Sequence, residues 1–355
     1  MAHPENNQPK ITAAKVGFLF TLFFLIAGGL GYPVLNRFDP RQTPGLSDVR
    51  IYADMVTGTA SPDAGHVRFR VLVPWAAQRV YQIAKPVYRA GGQTASWDPV
   101  MFSLLVADSA FVAATAVLIV VLGACRLGNS AAGLVGAFVY LVNFAVPNLR
   151  LVGLVDAGEG FFLLALLWCL VESELWPLPL IAALGTLTKE SFLPFSVAFC
   201  AVWWFRERAT GRQLGQPSLN RQSGKIAIWL AISLAASVAA FMGLHRAIEG
   251  WFTNPLEFAL GLHGGHGGGY LAHIATSIAD RQLWYIFLWL LPTAIPNLKR
   301  LPRPWLVATG ATCIVAFALD AYYGGAPGTI GRALFSIAGP TLSLSSAMLL
   351  VKIVD

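Results

Sequence analysis

The chain has 355 residues, 56% of them hydrophobic and 12% charged, with a mean hydropathy of +0.61 and a formal net charge of +7. A soluble domain keeps about a quarter of its residues charged. This composition therefore excludes a soluble protein and predicts an all-α, polytopic transmembrane helical bundle.

The first element is an apolar run over 16–36, after a polar start that carries Lys10 and Lys15. It ends in GYPVLN and exceeds the apolar core of a cleaved signal peptide, so it reads as an uncleaved first membrane helix. Windows of about nineteen residues give about ten spans. They fall at 16–36, 98–125, 130–148, 158–174, 176–188, 191–206, 225–246, 282–298, 304–322 and 332–352. The fifth is short enough for a half-span. No internal repeat is visible, and 1–355 reads as a single domain with three long connections, at 37–97, 206–225 and 247–281. Cys125, Cys169, Cys200 and Cys313 lie in or beside apolar runs without a CxxC pair, which suits packing.

Orientation follows from Lys and Arg in the short connections. With the N-terminus cytoplasmic, twelve basic residues lie inside and five lie in short outside segments, the rest belonging to the 37–97 loop. The RERATGRQLGQPSLNRQSGK connection, 206–225, is the clearest cytoplasmic stretch. The expected topology is N-in, C-in, with 37–97 and 247–281 extracytoplasmic. Loop cations facing anionic lipid account for the net charge, and no nucleic-acid partner is implied.

The outside face then collects the chemistry. In chain order it receives Asp48, Arg50, Tyr52 and Asp54, the pair Arg68 and Arg70, Asp156 and Glu159 of LVDAGEG, and Lys189 and Glu190 of LTKES. His263, His266 and Tyr270 of GLHGGHGGGY and Arg332 of IGRALF complete it. Ionisable groups at membrane depth are expensive and mark sites. Residues 67–88 repeat apolar Val71, Trp75, Val80 and Ile83 at helical spacing, interleaved with Arg70, Arg79 and Lys85, as in a helix lying on a membrane surface.

The stretches SDVRIYADMVTG, VRFRVLVPWAAQRV, LVDAGEGFFLLALL and LGTLTKESFLPF, behind a long first extracytoplasmic loop, resemble the GT-C superfamily of integral-membrane glycosyltransferases. The resemblance implies a polyprenyl-phosphate-linked sugar donor and a glycan, lipid or protein acceptor met through loops. It also implies an outward-facing active site, with a bacterial inner membrane the expected location. Asp48 would be the general base. Lys189, Arg332, Arg68 and Arg70 would hold the donor phosphate, and Tyr52, Asp156, Glu159, Glu190, His263, His266 and Tyr270 would bind substrate.

Elementary chemistry asks for the same parts. Transfer of a sugar from a lipid phosphate to a hydroxyl needs a base for the acceptor proton and cations for the departing phosphate. Each residue also has a plainer role. Asp48 after Ser47 would cap a helix, Arg68 and Arg70 would reach lipid headgroups, and Asp156 and Glu159 would favour a helix N-terminus. Arg50 and Asp54 read as a solvated pair, and Asp108 as paired within the bundle. Two histidines without a fixed third ligand suit a lid or acceptor loop better than a metal site. No cofactor or metal is indicated, although a divalent cation stays open. The rival reading is a transporter or flippase for a lipid-linked saccharide, for which a repeated half would be expected.

Overall fold

Every element among the described residues is helical, and proline, glycine and side-chain caps set many of the boundaries. The computed structural model describes residues 12–35, 47–59, 65–91, 98–213, 217–261, 269–324 and 328–354. Helix α1 (Ala13–Gly31) starts on a Thr12 cap and runs into a 3₁₀ turn, Tyr32–Val34, at its proline. α2 (Ser47–Thr57), a 3₁₀ turn (Gly65–Phe69) and α3 (Leu72–Gly91) follow. α4 (Pro99–Arg126) opens on Asp98, whose carboxylate accepts from the Val100 amide at 2.6 Å and the Met101 amide at 3.1 Å. Pro99 sits where no amide is needed. Gly128, at φ +63°, turns the chain out of α4, and Asn129 caps α5 (Ser130–Val142).

A π-helical turn (Val146–Arg150) leads to α6 (Asp156–Glu172), α7 (Leu178–Thr188), α8 (Phe192–Gln213) and α9 (Pro217–Glu249). Two short helices, α10 (Pro255–Gly261) and α11 (Tyr270–Ala279), precede a broken segment. That segment comprises α12 (Arg281–Phe287), α13 (Leu290–Ala294) and a 3₁₀ turn, Ile295–Arg300. α14 (Arg303–Tyr322) and α15 (Thr329–Val354) complete the bundle.

Five helical segments are long and apolar enough to cross a membrane: Ala13–Val34, Pro99–Arg126, Gly224–Glu249, Arg303–Tyr322 and Thr329–Lys352. The other expected spans fall on shorter or broken helices. Burial separates the centre from the rim: 67% of the α4 window and 78% of the α15 window are buried, against 11% for α1 and 22% for α9. On the rim, Phe18 and Leu25 of α1 and Ile228 of α9 expose apolar surface suited to lipid. At the centre, α4 and α5 touch through glycine. A side chain at Gly123 would collide with the Cα of Gly133, and one at Gly133 would lie 2.8 Å from the Val120 carbonyl oxygen. Such close backbone approach is how small residues pack membrane helices.

Three sequence expectations need correction. α3 packs on α4 through buried Val73, Ala77 and Ala84, whereas Trp75, Ile83 and Val87 are exposed around Arg79. Trp75 and Ile83, expected to share one face with Val71, are exposed whereas Val71, just before the helix, is buried. The 206–225 connection is helical up to Gln213 and again from Pro217, because its Arg, Glu, Gln and Lys residues form helix well even when polar. The 247–281 connection likewise holds α10 and α11.

Candidate functional site

The charged residues from five separated stretches meet at one end of the bundle, in two adjoining networks. The first is built on Arg70. The 3₁₀ turn Gly65–Phe69 closes with the Arg70 amide donating to the Val67 carbonyl at 3.1 Å, and this sets the side chain between α2 and the α7–α8 turn. Arg70 Nε and Nη2 donate to Glu190 Oε2 at 2.8 Å and Oε1 at 2.5 Å, a bidentate fork. Its Nη1 donates to Asp48 Oδ2 at 3.1 Å and to the Tyr52 hydroxyl at 3.0 Å. Asp48 lies in the first turn of α2, and Tyr52, one turn on, is fully buried. His66 Nε2 stands 4.0 Å from Glu190 Oε1.

The second network is built on the N-terminus of α6. Lys189 Nζ donates to Asp156 Oδ1 at 2.8 Å and Glu159 Oε2 at 3.4 Å, and Arg332 Nη1 donates to Asp156 Oδ2 at 3.3 Å. Glu159 also accepts from the Ser191 hydroxyl and, at 3.1 Å, from Ser336 Oγ. Behind them Arg150 is almost fully buried. It donates to the Asp156 carbonyl, to Ser336 Oγ at 2.8 Å and to the Arg332 carbonyl at 3.2 Å.

The glycines of DAGEG make this packing possible. A Cβ on Gly160 would lie 2.9 Å from Arg150 Nη1, and one on Gly158 would lie 2.9 Å from the Thr188 methyl. Gly153, at φ +84°, lets the chain turn before α6, and its amide donates to Asp108 Oδ2 at 3.1 Å. Asp108, expected to be paired within the bundle, finds its partner in this amide and so anchors the loop that leads to Asp156.

The two networks join at Lys189–Glu190. Lys189 is extended (φ −163°, ψ 139°) at the end of α7, and neighbouring side chains on extended backbone diverge. Lys189 therefore reaches the α6 acids while Glu190 reaches Arg70. Burial alone would push the Glu190 carboxyl up, but the Arg70 guanidinium dominates and holds it at about 2. Burial likewise opposes the charge on Arg70, which Glu190 restores, and on Lys189, which Asp156 and Glu159 restore, so both cations titrate above their ordinary range. Burial pushes the Tyr52 phenol well up against the pull of Arg70. Burial also lowers His66 below its ordinary value despite Glu190. The site at neutral pH thus presents fixed cations, fixed carboxylates and a protonated phenol. Its most exposed paired carboxylate is Asp48, whose side chain is 29% exposed against 18% for Glu190, 2% for Asp156 and 0% for Glu159.

Of the residues singled out in the sequence, Asp48, Tyr52, Arg70, Asp156, Glu159, Lys189, Glu190 and Arg332 come together. Arg68 does not. A 3₁₀ turn advances about 120° per residue, so Arg68 diverges from Arg70 and donates instead to Glu249 Oε1 at 2.6 Å on α9. Tyr270 does not join either: its hydroxyl donates to the Ala318 carbonyl at 3.1 Å, fastening α11 to α14. Asp320 accepts from Ser277 and, at 2.5 Å, from Thr329, tying α14 to α11 and to the start of α15. Arg50 and Asp54 form no ion pair. Their basic-before-acidic order at i, i+4 is the poorer orientation on a helix. His263 and His266 lie outside the described residues. Sequence reading missed Arg150, Ser191, Ser336 and His66. The glycine spacing of DAGEG was the one signal that a bulky partner must approach α6.

Comparison with protein-family models, with curated proteins and with solved structures gives no match.

Proposed function

We propose that this protein is an integral-membrane glycosyltransferase of GT-C type, moving a sugar from a polyprenyl-phosphate donor to an acceptor hydroxyl. The observation that carries the reading is the meeting of Asp48, Arg70, Lys189 and Arg332 at one end of an apolar bundle, beside helices able to flank a lipid tail. In this reading ten segments cross the membrane, the shorter helices and the broken α12–α13 segment included, with both termini cytoplasmic. Lys15, Arg126, Lys225, Arg300, Arg303 and Lys352 sit at the ends of segments remote from the charged networks, as the positive-inside bias asks. The networks then face outward, and α3 lies along the interface with Trp75, Ile83 and Val87 toward lipid.

The reaction divides among these residues. The acceptor oxygen attacks the anomeric carbon as the bond from that carbon to the phosphate oxygen breaks, and Asp48 takes the acceptor proton. Attack from the face opposite the phosphate inverts the anomeric centre. Lys189 and Arg332, which share Asp156 in the resting network, take on the charge of the departing phosphate. Arg70 holds Asp48 in place, and Tyr52 and Glu190 hold Arg70. Glu159 fixes Lys189. No cofactor is required by this scheme.

The test is turnover of a panel of polyprenyl-phosphate sugars by the purified full-length protein, with Asp48→Asn as comparison. Asn keeps the size of Asp48 and can still accept from Arg70, but it cannot take the proton. Loss of about 10²–10⁴ in kcat is expected, with donor binding retained. An Asp48→Asn protein that turns over like the parent would remove Asp48 from the chemistry. Movement of a lipid-linked saccharide across vesicles without transfer would favour the transporter reading.

A further inference from the structure

A second polar site lies at the other end of the bundle and takes no part in the proposed reaction. The C-terminus of α4, the turn into α5, the 3₁₀ turn after α13 and the C-terminus of α15 surround a recess of about 460 Å³. Arg126, Asn129, Arg300 and Lys352 supply its polar lining, and Leu127, Met348 and Val351 its apolar lining. Its volume falls within the roughly 300–1,000 Å³ of small-ligand sites.

The cations differ in what they already hold. Arg126 is committed to Glu172, with Nε at 2.8 Å and Nη2 at 3.0 Å, and also donates to the Val171 carbonyl. This pins the ends of α4 and α6 together and leaves Nη1 of the fork over. The Asn129 carbonyl oxygen caps α5 at 2.8 Å, which leaves its amide group as a donor. Arg300 and Lys352 are exposed and hold no carboxylate among the described residues. The recess therefore offers two uncommitted cations and two further donors above an apolar floor, at the end of two long apolar helices, α4 and α15.

We infer that this recess binds an anionic phospholipid: the phosphate contacts Arg300, Lys352 and the spare donors of Arg126 and Asn129, and the glycerol and upper acyl carbons cover Leu127, Met348 and Val351. The apolar floor argues for a lipid over a free phosphate, because inorganic phosphate would leave that surface uncovered. The depth of the site suits the same choice, since headgroups lie where membrane helices end. Basic recesses between helix ends are a recurring mode of lipid-headgroup recognition.

The test uses the full-length protein in phosphatidylcholine nanodiscs doped with phosphatidylglycerol, with retained lipid read by native mass spectrometry after release. The parent should retain phosphatidylglycerol over phosphatidylcholine. A basic residue near an anionic headgroup is worth about fivefold, so the double variant R300Q/K352Q should retain about 25-fold less. A charge-matched pair at the same end but off the recess, K15Q/K225Q, should retain as much as the parent. Equal retention by R300Q/K352Q would overturn the site, as would an equal loss in K15Q/K225Q, which would mean a diffuse field. Displacement of phosphatidylglycerol by millimolar inorganic phosphate would overturn the lipid assignment.

Discussion

Arg70 is the residue whose removal tests the charged end most directly. Arg70→Met keeps much of the side-chain length but deletes a guanidinium that makes contacts to Glu190 at 2.8 and 2.5 Å, to Asp48 at 3.1 Å and to Tyr52 at 3.0 Å. The three partners do not suffer equally. Asp48 is exposed enough to find water, whereas Glu190 keeps a largely buried charge and the Tyr52 hydroxyl loses its donor in a fully buried position. Removing one member of a buried pair costs about 3–5 kcal/mol, a fall of roughly 4–7 °C in unfolding temperature for a chain of this length.

The double variant Arg70→Met/Glu190→Leu removes both charges and should recover a large part of that loss. The pH dependence gives a second readout. In the parent, Glu190 titrates at about 2, below its ordinary 4.5, so its stabilisation is present above 4.5 and fades as pH falls toward 2. In Arg70→Met the main lowering influence on Glu190 is gone, and burial, the largest remaining one, raises its pKa against the smaller pull of His66 and a backbone hydrogen bond. The folded variant then takes up a proton before the unfolded chain does and gains stability on acidification. The gap between variant and parent should therefore narrow from pH 7 to pH ~4. Thermal unfolding in detergent, followed by tryptophan fluorescence, reads both effects. A variant within about 1 °C of the parent, or a gap independent of pH, would refute the account of Arg70 as a buried hub.

Lys189→Met and Arg332→Gln should each lower sugar transfer by about 10²–10³ in kcat while leaving insertion and purification unchanged, because each removes one cation from the departing phosphate. A steady-state assay against donor concentration checks this, and a parental kcat in both would reduce them to structural partners of Asp156. In the core, Gly123→Ala should destabilise by about 1–3 kcal/mol or more, because the new methyl meets the backbone of Gly133 rather than a movable side chain. Gly29→Ala, with nothing within 4 Å, is the control and should unfold at or above the parental temperature in the same thermal assay.

The sequence made helices and polar clusters legible for a physical reason: apolar runs announce membrane helices, and charges within them are rare enough to stand out. Asp156, Glu159, Lys189 and Glu190 were found that way, and so was Arg332. Which of two neighbouring arginines joined the site was not legible, since Arg68 and Arg70 differ only in their phase on a 3₁₀ turn. Arg150 was hidden because one arginine beside an apolar run looks like any interfacial anchor, and its burial arises from contacts to residues 6, 182 and 186 positions away. The face of α3 was misread because both of its sides are apolar, one turned to α4 and one exposed.

Helix polarity adds a reason for the arrangement of signs. Asp48 lies in the first turn of α2, Asp156 and Glu159 lie in the first turn of α6, and Glu190 lies two residues before α8, so each acid sits near the partial positive charge of a helix start. Lys189, at the end of α7, has the matching sign for a helix end. Arg332, like Arg70 two residues before α3, opposes its helix: it lies close to the start of α15, where a cation is disfavoured. Local helix energetics would not put an arginine there. Asp156 offsets the cost at 3.3 Å, and the Arg332 Nε bond to the Gly328 carbonyl at 3.1 Å fixes the side chain. In a network where Arg70, Lys189 and Arg332 meet four carboxylates, Arg332, held against its own helix dipole with Asp156 as its one carboxylate among the described residues, is the cation an incoming anion would relieve most.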